Sequence, residues 1–220
     1  FVPLAPENPM PSIPLRRCVV LAAAVLCAHA SARAVDEGMW LFNRPPTEQL
    51  KKDFGFDVSA EWMEHVQKSA VRVSTGGSGS IVSADGLVMT NHHVGSDMLL
   101  KLSSEGHNLL ELGFDAKTAA DELVCPDLHL DVLWKIEDVT ARIEAATKNL
   151  ATAEAGAARR KAQTMIEDEA KKSTGMHAEV VTLYQGGRYH LYLYKRFDDV
   201  RLVFAPEQQI AFYGGDNDNF

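Results

Sequence analysis

The clearest alternation of apolar and polar positions lies between residues 189 and 197. There Tyr189, Leu191 and Leu193 alternate with more polar side chains, which is typical of a half-buried antiparallel strand. Shorter runs rich in Val, Ile and Leu predict further strands. These runs are residues 71–73, 81–82, 87–90, 123–132, 133–139, 178–184 and 200–204.

Helical spacing marks three other stretches. Residues 48–54 follow the cap residue Thr47 and stop at Gly55, and residues 60–69 follow the cap residue Ser59. Residues 140–172 are rich in Ala, Glu, Lys and Arg and predict a long helix, or a helical hairpin broken near Gly156. Its apolar stripe consists of Ile143, Leu150, Met165 and Ile166. The predicted fold class is therefore mainly β with a helical insertion.

Residues 1–34 have the pattern of a leader. Arg16 and Arg17 precede an apolar run, residues 18–28, and then a small-residue site at Ala32–Ala34. This order predicts a secretory signal peptide, and the apolar run is too short to span a bilayer. Residues 1–9, ahead of Met10, are expected to be translated upstream sequence or a remnant of cloning. We therefore expect export, to the periplasm or the cell surface, and no transmembrane segment.

Composition narrows the classes of partner. The 220-residue chain carries a formal net charge of −8, which argues against nucleic acid or an anionic membrane as its main partner. Two of its three cysteines, Cys18 and Cys27, lie in the predicted leader. Only Cys125 would stay after cleavage, so no internal disulfide is expected.

The segment from Gly76 to Val94 carries the candidate chemistry. It predicts a strand, a tight turn at residues 83–86 and a second strand that ends at His92 and His93. Because successive side chains of an extended segment point to opposite sides, only one imidazole can face a cleft. A buried structural histidine is the alternative for either residue. No His or Cys lies nearby at ligand spacing, so no metal site is predicted.

Two serines precede these histidines. Ser78 and Ser80 flank Gly79 and resemble the nucleophile loop of a protease. The more plausible interpretation is structural, because glycine in a strand often permits a close approach of two backbones.

Four stretches together resemble the bacterial dipeptidyl-peptidases of the type 7 and type 11 group, which are chymotrypsin-clan serine exopeptidases. They are Glu37–Trp40, Gly79–His93, Asp199–Pro206 and Gly214–Phe220. The resemblance implies a chymotrypsin-like double β-barrel of which only the N-terminal part is present. Residues 35–220 would then be a truncated catalytic domain, whose aspartate and serine lie beyond Phe220. Such a fragment is expected to be inactive alone.

The resemblance also implies roles for particular residues. By alignment with the T-A-A-H-C pattern of that protease class, His93 is the catalytic base, and His92 packs or hydrogen-bonds behind it. Asn219 helps to hold the free α-amino group of the substrate, with Phe220 at an aromatic position beside it. Asp216 and Asp218 are acidic neighbours, for which turn formation and local hydrogen bonding are the favoured interpretation. The implied substrates are peptides with free N-termini; no cofactor is implied, and a homodimer is left open.

The chain departs from the group at one pair of positions. Relatives usually carry cysteine where this chain has Gly77 and Val94. The paired replacement implies a missing disulfide, with some loss of stability, and not a missing activity.

Two other functions fit part of the pattern. A secreted endopeptidase of the high-temperature-requirement type also has a Gly-Ser-Gly strand and a hairpin that leads to Asn-His-Val, but the Glu37–Trp40 opening and the Gly214–Phe220 ending argue against it. A non-catalytic pseudoprotease that binds peptides is the other alternative.

Overall fold

A computed structural model of the chain describes residues 39–212. The expectations for residues 1–34, and those for Asp216, Asp218, Asn219 and Phe220, lie outside the described residues. The chain divides into two compact units, Phe1–Pro45 and Pro46–Phe220. In the first unit the described residues include a turn in which Arg44 N–H donates to the Leu41 carbonyl at 2.8 Å. All helices and strands named below belong to the second unit.

The helices start and stop where local chemistry allows. Ser59 Oγ accepts the Trp62 N–H at 3.1 Å and caps the second helix. Gly55 ends the first helix in the left-handed region, with φ of 65°. Within residues 39–212 the α-helices are α1 (Thr47–Phe54), α2 (Ala60–Ser69), α3 (His92–Leu102), α4 (Leu109–Leu112), α5 (Thr140–Thr147), α6 (Thr152–Thr174) and α7 (Gln208–Ala211).

The strands form one large antiparallel sheet and two short ladders. They are β1 (Ala70–Val73), β2 (Ser78–Ile81), β3 (Val88–Thr90), β4 (Phe114–Asp115), β5 (Leu123–Val124), β6 (Leu130–Asp138), β7 (His177–Leu183), β8 (Arg188–Phe197), β9 (Arg201–Leu202) and β10 (Phe204–Ala205). The large sheet has six strands in the order β3-β2-β1-β6-β8-β7. Strand β10 pairs with β4, and β9 pairs with β5.

The expectation of a mainly β chain needs correction. Helices occupy more of residues 39–212 than strands do, so the architecture is a mixture of helices and antiparallel sheet. Two predicted strands are also shorter than expected: the run 123–132 is interrupted between β5 and β6, and the run 200–204 splits into β9 and β10. The predicted strands at residues 178–184 and 189–197 are confirmed as β7 and β8. The half-buried alternation predicted for residues 189–197 is wrong, because His190 and Tyr194 are buried together with Tyr189, Leu191 and Leu193.

The helical insertion is a hairpin, but its break does not lie at Gly156. Gly156 is inside α6, whereas Asn149, with φ of 62°, lies between α5 and α6. Asparagine tolerates this left-handed conformation, which stops a helix. The apolar stripe is half right, because Ile143 and Ile166 are buried while Leu150 and Met165 are exposed.

Two apolar clusters hold these elements together. The larger one packs α5 and α6 onto β7 and β8 and consists of Val139, Ile143, Ile166, Ala170, Val180, Tyr189, Leu191 and Leu193. The smaller one joins α3, α4 and β10 through Leu99, Leu109, Leu110 and Ala205. Full burial of a leucine or isoleucine side chain contributes about 1.5–3 kcal/mol relative to exposure. Within residues 39–212 no helix combines the length and apolar character needed to cross a membrane.

A buried ion cluster joins three adjacent strands of the sheet. The Asp131 side chain is 4% exposed and accepts two 2.9 Å hydrogen bonds from Nε and Nη2 of Arg196. Arg72 Nη2 lies 3.4 Å from the same carboxylate, and its guanidinium also stacks 4.4 Å from the Tyr194 ring centroid. Burial acts to raise the pKa of Asp131, but the hydrogen bonds from Arg196 and Arg72 outweigh it and lower the pKa below its ordinary value of 3.8.

Asp131→Asn should lower the free energy of unfolding by about 2–3 kcal/mol, because two guanidinium groups lose a buried charged partner. Chemical denaturation measures this change. Asp199→Asn is the matched control, because Asp199 makes the same two-bond contact with Arg201, at 2.9 and 3.0 Å, but is 67% exposed. The control should leave the free energy of unfolding nearly unchanged, because solvent screens an exposed ion pair. Equal effects of both variants would contradict a special role for the buried pair.

The Asp131 cluster should also add to acid sensitivity. A carboxyl whose pKa is lower in the folded state stabilises the fold fully above its unfolded pKa, and that stabilisation is lost as the pH falls through the folded pKa. The stability difference between wild type and Asp131→Asn should therefore be constant at neutral pH and shrink below about pH 4. Denaturation curves taken between pH 7 and the acid limit would test this, and a difference that widens on acidification would contradict it.

Candidate active site

The predicted hairpin that leads to the histidines is present. Strands β2 and β3 pair in antiparallel register, with Ser80 opposite Met89. The connecting turn is closed by Ser83, whose side-chain Oγ accepts the Leu87 N–H at 3.0 Å. Gly86 has φ of 87° in this turn, a conformation that glycine adopts without steric cost. The hairpin therefore fixes the position of Asn91, the residue that follows β3.

The glycine between the two serines is required by packing. A Cβ atom at Gly79 would lie 2.7 Å from the Met89 carbonyl oxygen and 3.2 Å from Val71 Cγ2. Only glycine lets β2 fit between β1 and β3 at this point. Ser78 and Ser80 are exposed on the strand, and the Ser78 carbonyl accepts the Thr90 hydroxyl at 2.7 Å. This close approach agrees with the structural interpretation of the Gly-Ser-Gly stretch.

The chain does not continue as a strand through the two histidines. Helix α3 begins at His92, with Asn91 as the extended residue before it. The two imidazoles therefore diverge by the angle between helical neighbours, about 100°, and not by strand alternation. The signal that sequence reasoning missed is the apolar spacing of Met98, Leu99 and Leu102 behind an asparagine, a residue that often precedes a helix.

The structure distinguishes the two histidines by burial. His92 is 8% exposed, whereas His93 is exposed on the first turn of α3. The Ser96 hydroxyl donates to the His93 carbonyl oxygen at 2.8 Å and supports this turn. The His93 imidazole is therefore exposed at the start of a helix whose first turn is supported by a hydrogen bond.

His92 packs against a segment from the other end of the described chain. Its ring centroid lies 6.4 Å from that of Phe212, in an edge-to-face arrangement at 73°. Burial lowers the pKa of the His92 imidazole; the backbone of Pro206 opposes that fall, and the neighbouring His93 adds to it. No ring nitrogen of His92 makes a hydrogen bond of normal geometry with the rest of residues 39–212. His92 is therefore held mainly as a neutral packing group. Phe212 and Pro206 carry no local sequence signal that links them to His92.

Val94 fixes the other side of the same helical turn. A Cβ atom placed on Gly77 would lie 2.7 Å from Val94 Cγ2 and 3.5 Å from Val94 Cβ. The two positions at which the family resemblance implies a disulfide are thus in direct contact. Gly77 itself has φ of 89°. The first turn of α3 is therefore held by His92 on one side and by Val94 on the other, with His93 between them.

The remaining candidate residues are divided between described and undescribed parts of the chain. Asn219 and Phe220 are outside the described residues. Within residues 39–212 no three His, Cys, Asp or Glu side chains converge as a metal ligand set. Cys125 is a buried free thiol, and burial raises its pKa above the ordinary value, which makes it a poor nucleophile at neutral pH.

Comparisons of the sequence and of the structure with known proteins identify the same group of relatives. A family model described as Peptidase S46 matches residues 35–220. The Dipeptidyl-peptidase 7 of Porphyromonas endodontalis is 35% identical over 210 residues, which cover 92% of this chain and 26% of that protein. The Asp/Glu-specific dipeptidyl-peptidase of Porphyromonas gingivalis is 34% identical over 218 residues, which cover 93% of this chain and 30% of that protein.

Solved structures give the same relationship. The crystal structure of Porphyromonas endodontalis DPP11 matches with a TM-score of 0.70 and 32% identity, over 83% of this chain and 27% of that one. Its complex with the dipeptide Arg-Glu matches with a TM-score of 0.68 and 30% identity, over 84% of this chain and 29% of that one. This chain thus spans less than a third of the length of these relatives.

The contact between Gly77 and Val94 predicts a disulfide in the double variant Gly77→Cys/Val94→Cys. The 3.5 Å separation of the two Cβ positions is within the range of disulfides. Closing a loop of this length should make the oxidised variant about 3 kcal/mol more stable than the same variant reduced. Thiol titration should then count as many free thiols as in wild type. Gly77→Cys alone is the control and should destabilise the fold, because its side chain would clash with Val94. Two additional titratable thiols after oxidation would contradict the contact.

Proposed function

This chain belongs to the peptidase S46 family, and we propose on that basis that it forms the N-terminal part of a serine-type dipeptidyl-peptidase. The enzyme would release dipeptides from the free N-termini of peptides. The observation that carries this proposal is the presentation of His93, exposed on a helical turn whose two flanking residues are both packed. Named relatives of both matched types are dipeptidyl-peptidases.

In this proposal His93 is the general base. It accepts the proton of the nucleophilic serine hydroxyl while the oxygen attacks the scissile carbonyl, and it donates that proton to the leaving amine. The serine, and the aspartate that orients His93, would come from residues that follow Phe220. The six-stranded sheet would contribute to the first barrel of a double β-barrel, with the reactive groups meeting at the cleft between barrels.

Release of dipeptides requires recognition of a free amino group. We assign that role in part to Asn219, whose amide oxygen can accept a hydrogen bond from an ammonium group. An ammonium that loses water on binding needs such acceptors, because an unpaired buried charge is costly. Phe220 would supply an apolar wall beside it. The related DPP11 has been crystallised with the dipeptides Arg-Glu and Arg-Asp, which supports a dipeptide-sized site in that protein.

The expected environment follows from the leader. A cleaved signal peptide at residues 1–34 would deliver the enzyme to the periplasm or the cell surface, where free peptides are available. Its partners would be peptide substrates, without a cofactor, and a homodimer is compatible with the proposal. A peptide-binding pseudoprotease is the alternative that the following experiment separates from an enzyme. The endopeptidase alternative has no support from the matched family.

The complete product of the gene should hydrolyse fluorogenic dipeptidyl substrates with a free N-terminus. His93→Ala should lower kcat/KM by a factor of about 10³ or more, because the triad acts as a unit. His107→Ala is the matched control, since His107 is also an exposed histidine but lies beyond the end of α3; it should retain wild-type activity. The 220-residue chain alone should show no turnover.

Three results would overturn parts of the proposal. Full activity of His93→Ala would exclude His93 as the base. Equal cleavage of N-acetylated and free substrates would exclude an exopeptidase. Peptide binding without any hydrolysis would identify a pseudoprotease.

A further inference from the structure

His92 is buried, although a residue at the start of a helix can equally well be exposed to solvent. A side chain that only started a helix would be tolerated on the surface, yet the His92 ring is enclosed and faces Phe212. It also lacks hydrogen bonds of normal geometry to residues 39–212. Enclosing a polar ring in this way costs free energy, so another benefit must offset that cost.

The contact of His92 continues an apolar seam along α3. His92 and Leu99 lie two turns apart on one face of the helix. Leu99 packs in the cluster that contains Ala205, and His92 packs against Phe212 and the Pro206 backbone, which follow Ala205 in the chain. One face of α3 therefore packs along the segment from Ala205 to Phe212.

The segment after Ala205 is itself held firmly. A Cβ atom on Gly113 would lie 2.8 Å from the Ala205 carbonyl oxygen and 3.1 Å from the Glu207 nitrogen, so the backbones of these residues are in close contact. Ala211 is buried at the end of α7. His92 thus packs onto a well-supported surface, from which the chain continues directly into the Gly214–Phe220 stretch.

We propose that His92 is a positioning residue, whose buried ring sets the orientation in which the first turn of α3 presents His93. The same contact connects that turn to the Pro206–Phe212 segment. This inference rests on the proposed function of His93 as the base. Together with the contact between Val94 and Gly77, the ring contact restrains this helical turn on two sides. Such precision matters, because a misplacement of about 1 Å can cost a factor of about 10² in rate.

Kinetics of the complete gene product test the inference. At a temperature where circular dichroism shows the variant folded, His92→Ala should lower kcat/KM by about 10- to 100-fold, chiefly through kcat. His92→Phe keeps an aromatic ring at the same place and should recover most of that loss. Phe212→Ala should reproduce the loss, and the double variant His92→Ala/Phe212→Ala should be no worse than either single variant, because both remove one contact. His107→Ala should behave as wild type.

A second measurement does not depend on activity. Diethyl pyrocarbonate modifies accessible imidazoles, and peptide mass spectrometry of the 220-residue chain gives the rate at His93. His92→Ala should change that rate, and His92→Phe should restore it. A merely structural role would lower the melting temperature while leaving the rate in the folded protein unchanged.

The outcomes separate the inference from the proposed function. Unchanged kcat and an unchanged labelling rate in His92→Ala would overturn the positioning role, even if His93→Ala is inactive. His92→Phe as impaired as His92→Ala in both assays would overturn it as well, because the ring contact would then not be the cause. Full activity of His93→Ala would refute the base, and the labelling rate would still decide whether His92 orients His93.

Discussion

The burial of Asp131 between two arginines is the constraint on which the arrangement of the sheet depends. Arg72, Asp131 and Arg196 are direct cross-strand partners on β1, β6 and β8. A slip of one residue in either pairing would turn Asp131 to the opposite face and leave a carboxylate without its cations. A buried charge in that state is strongly destabilising. The cluster therefore fixes the register between the hairpin half of the sheet and the half that carries the helices.

The geometry of the candidate site depends on that strand register. Strand β1 holds β2, and the close approach at Gly79 holds β3 in turn. Gly77, which precedes β2, meets Val94 on the first turn of α3. The opposite side of that turn rests on Phe212 through His92. His93 is thus the exposed residue of a turn whose flanking residues contact two distant parts of the chain.

Much of this could be predicted from local sequence. The capped helix at Ala60–Ser69, the hairpin with Gly86 in its turn and the long strand Arg188–Phe197 all depend on interactions within a few residues. The family assignment made from four short stretches is confirmed by the match over residues 35–220. The errors have equally physical origins. Gly156 is tolerated inside a helix of 23 residues because neighbouring turns outweigh its modest cost. The start of α3 was missed although Asn91, its cap residue, is of a type that often precedes a helix.

The sequence by itself therefore determined the local elements and the family, and the family resemblance implied His93 as the base. The local elements follow from caps, turns and periodicity, which act over a few residues, whereas the family follows from the four motif stretches. Only the tertiary structure decided which imidazole is enclosed and which is exposed. His92 and His93 are chemically identical neighbours, and the difference between them arises from Phe212 and Pro206, which lie far along the chain. No local rule can distinguish two equal side chains whose environments are supplied by long-range packing.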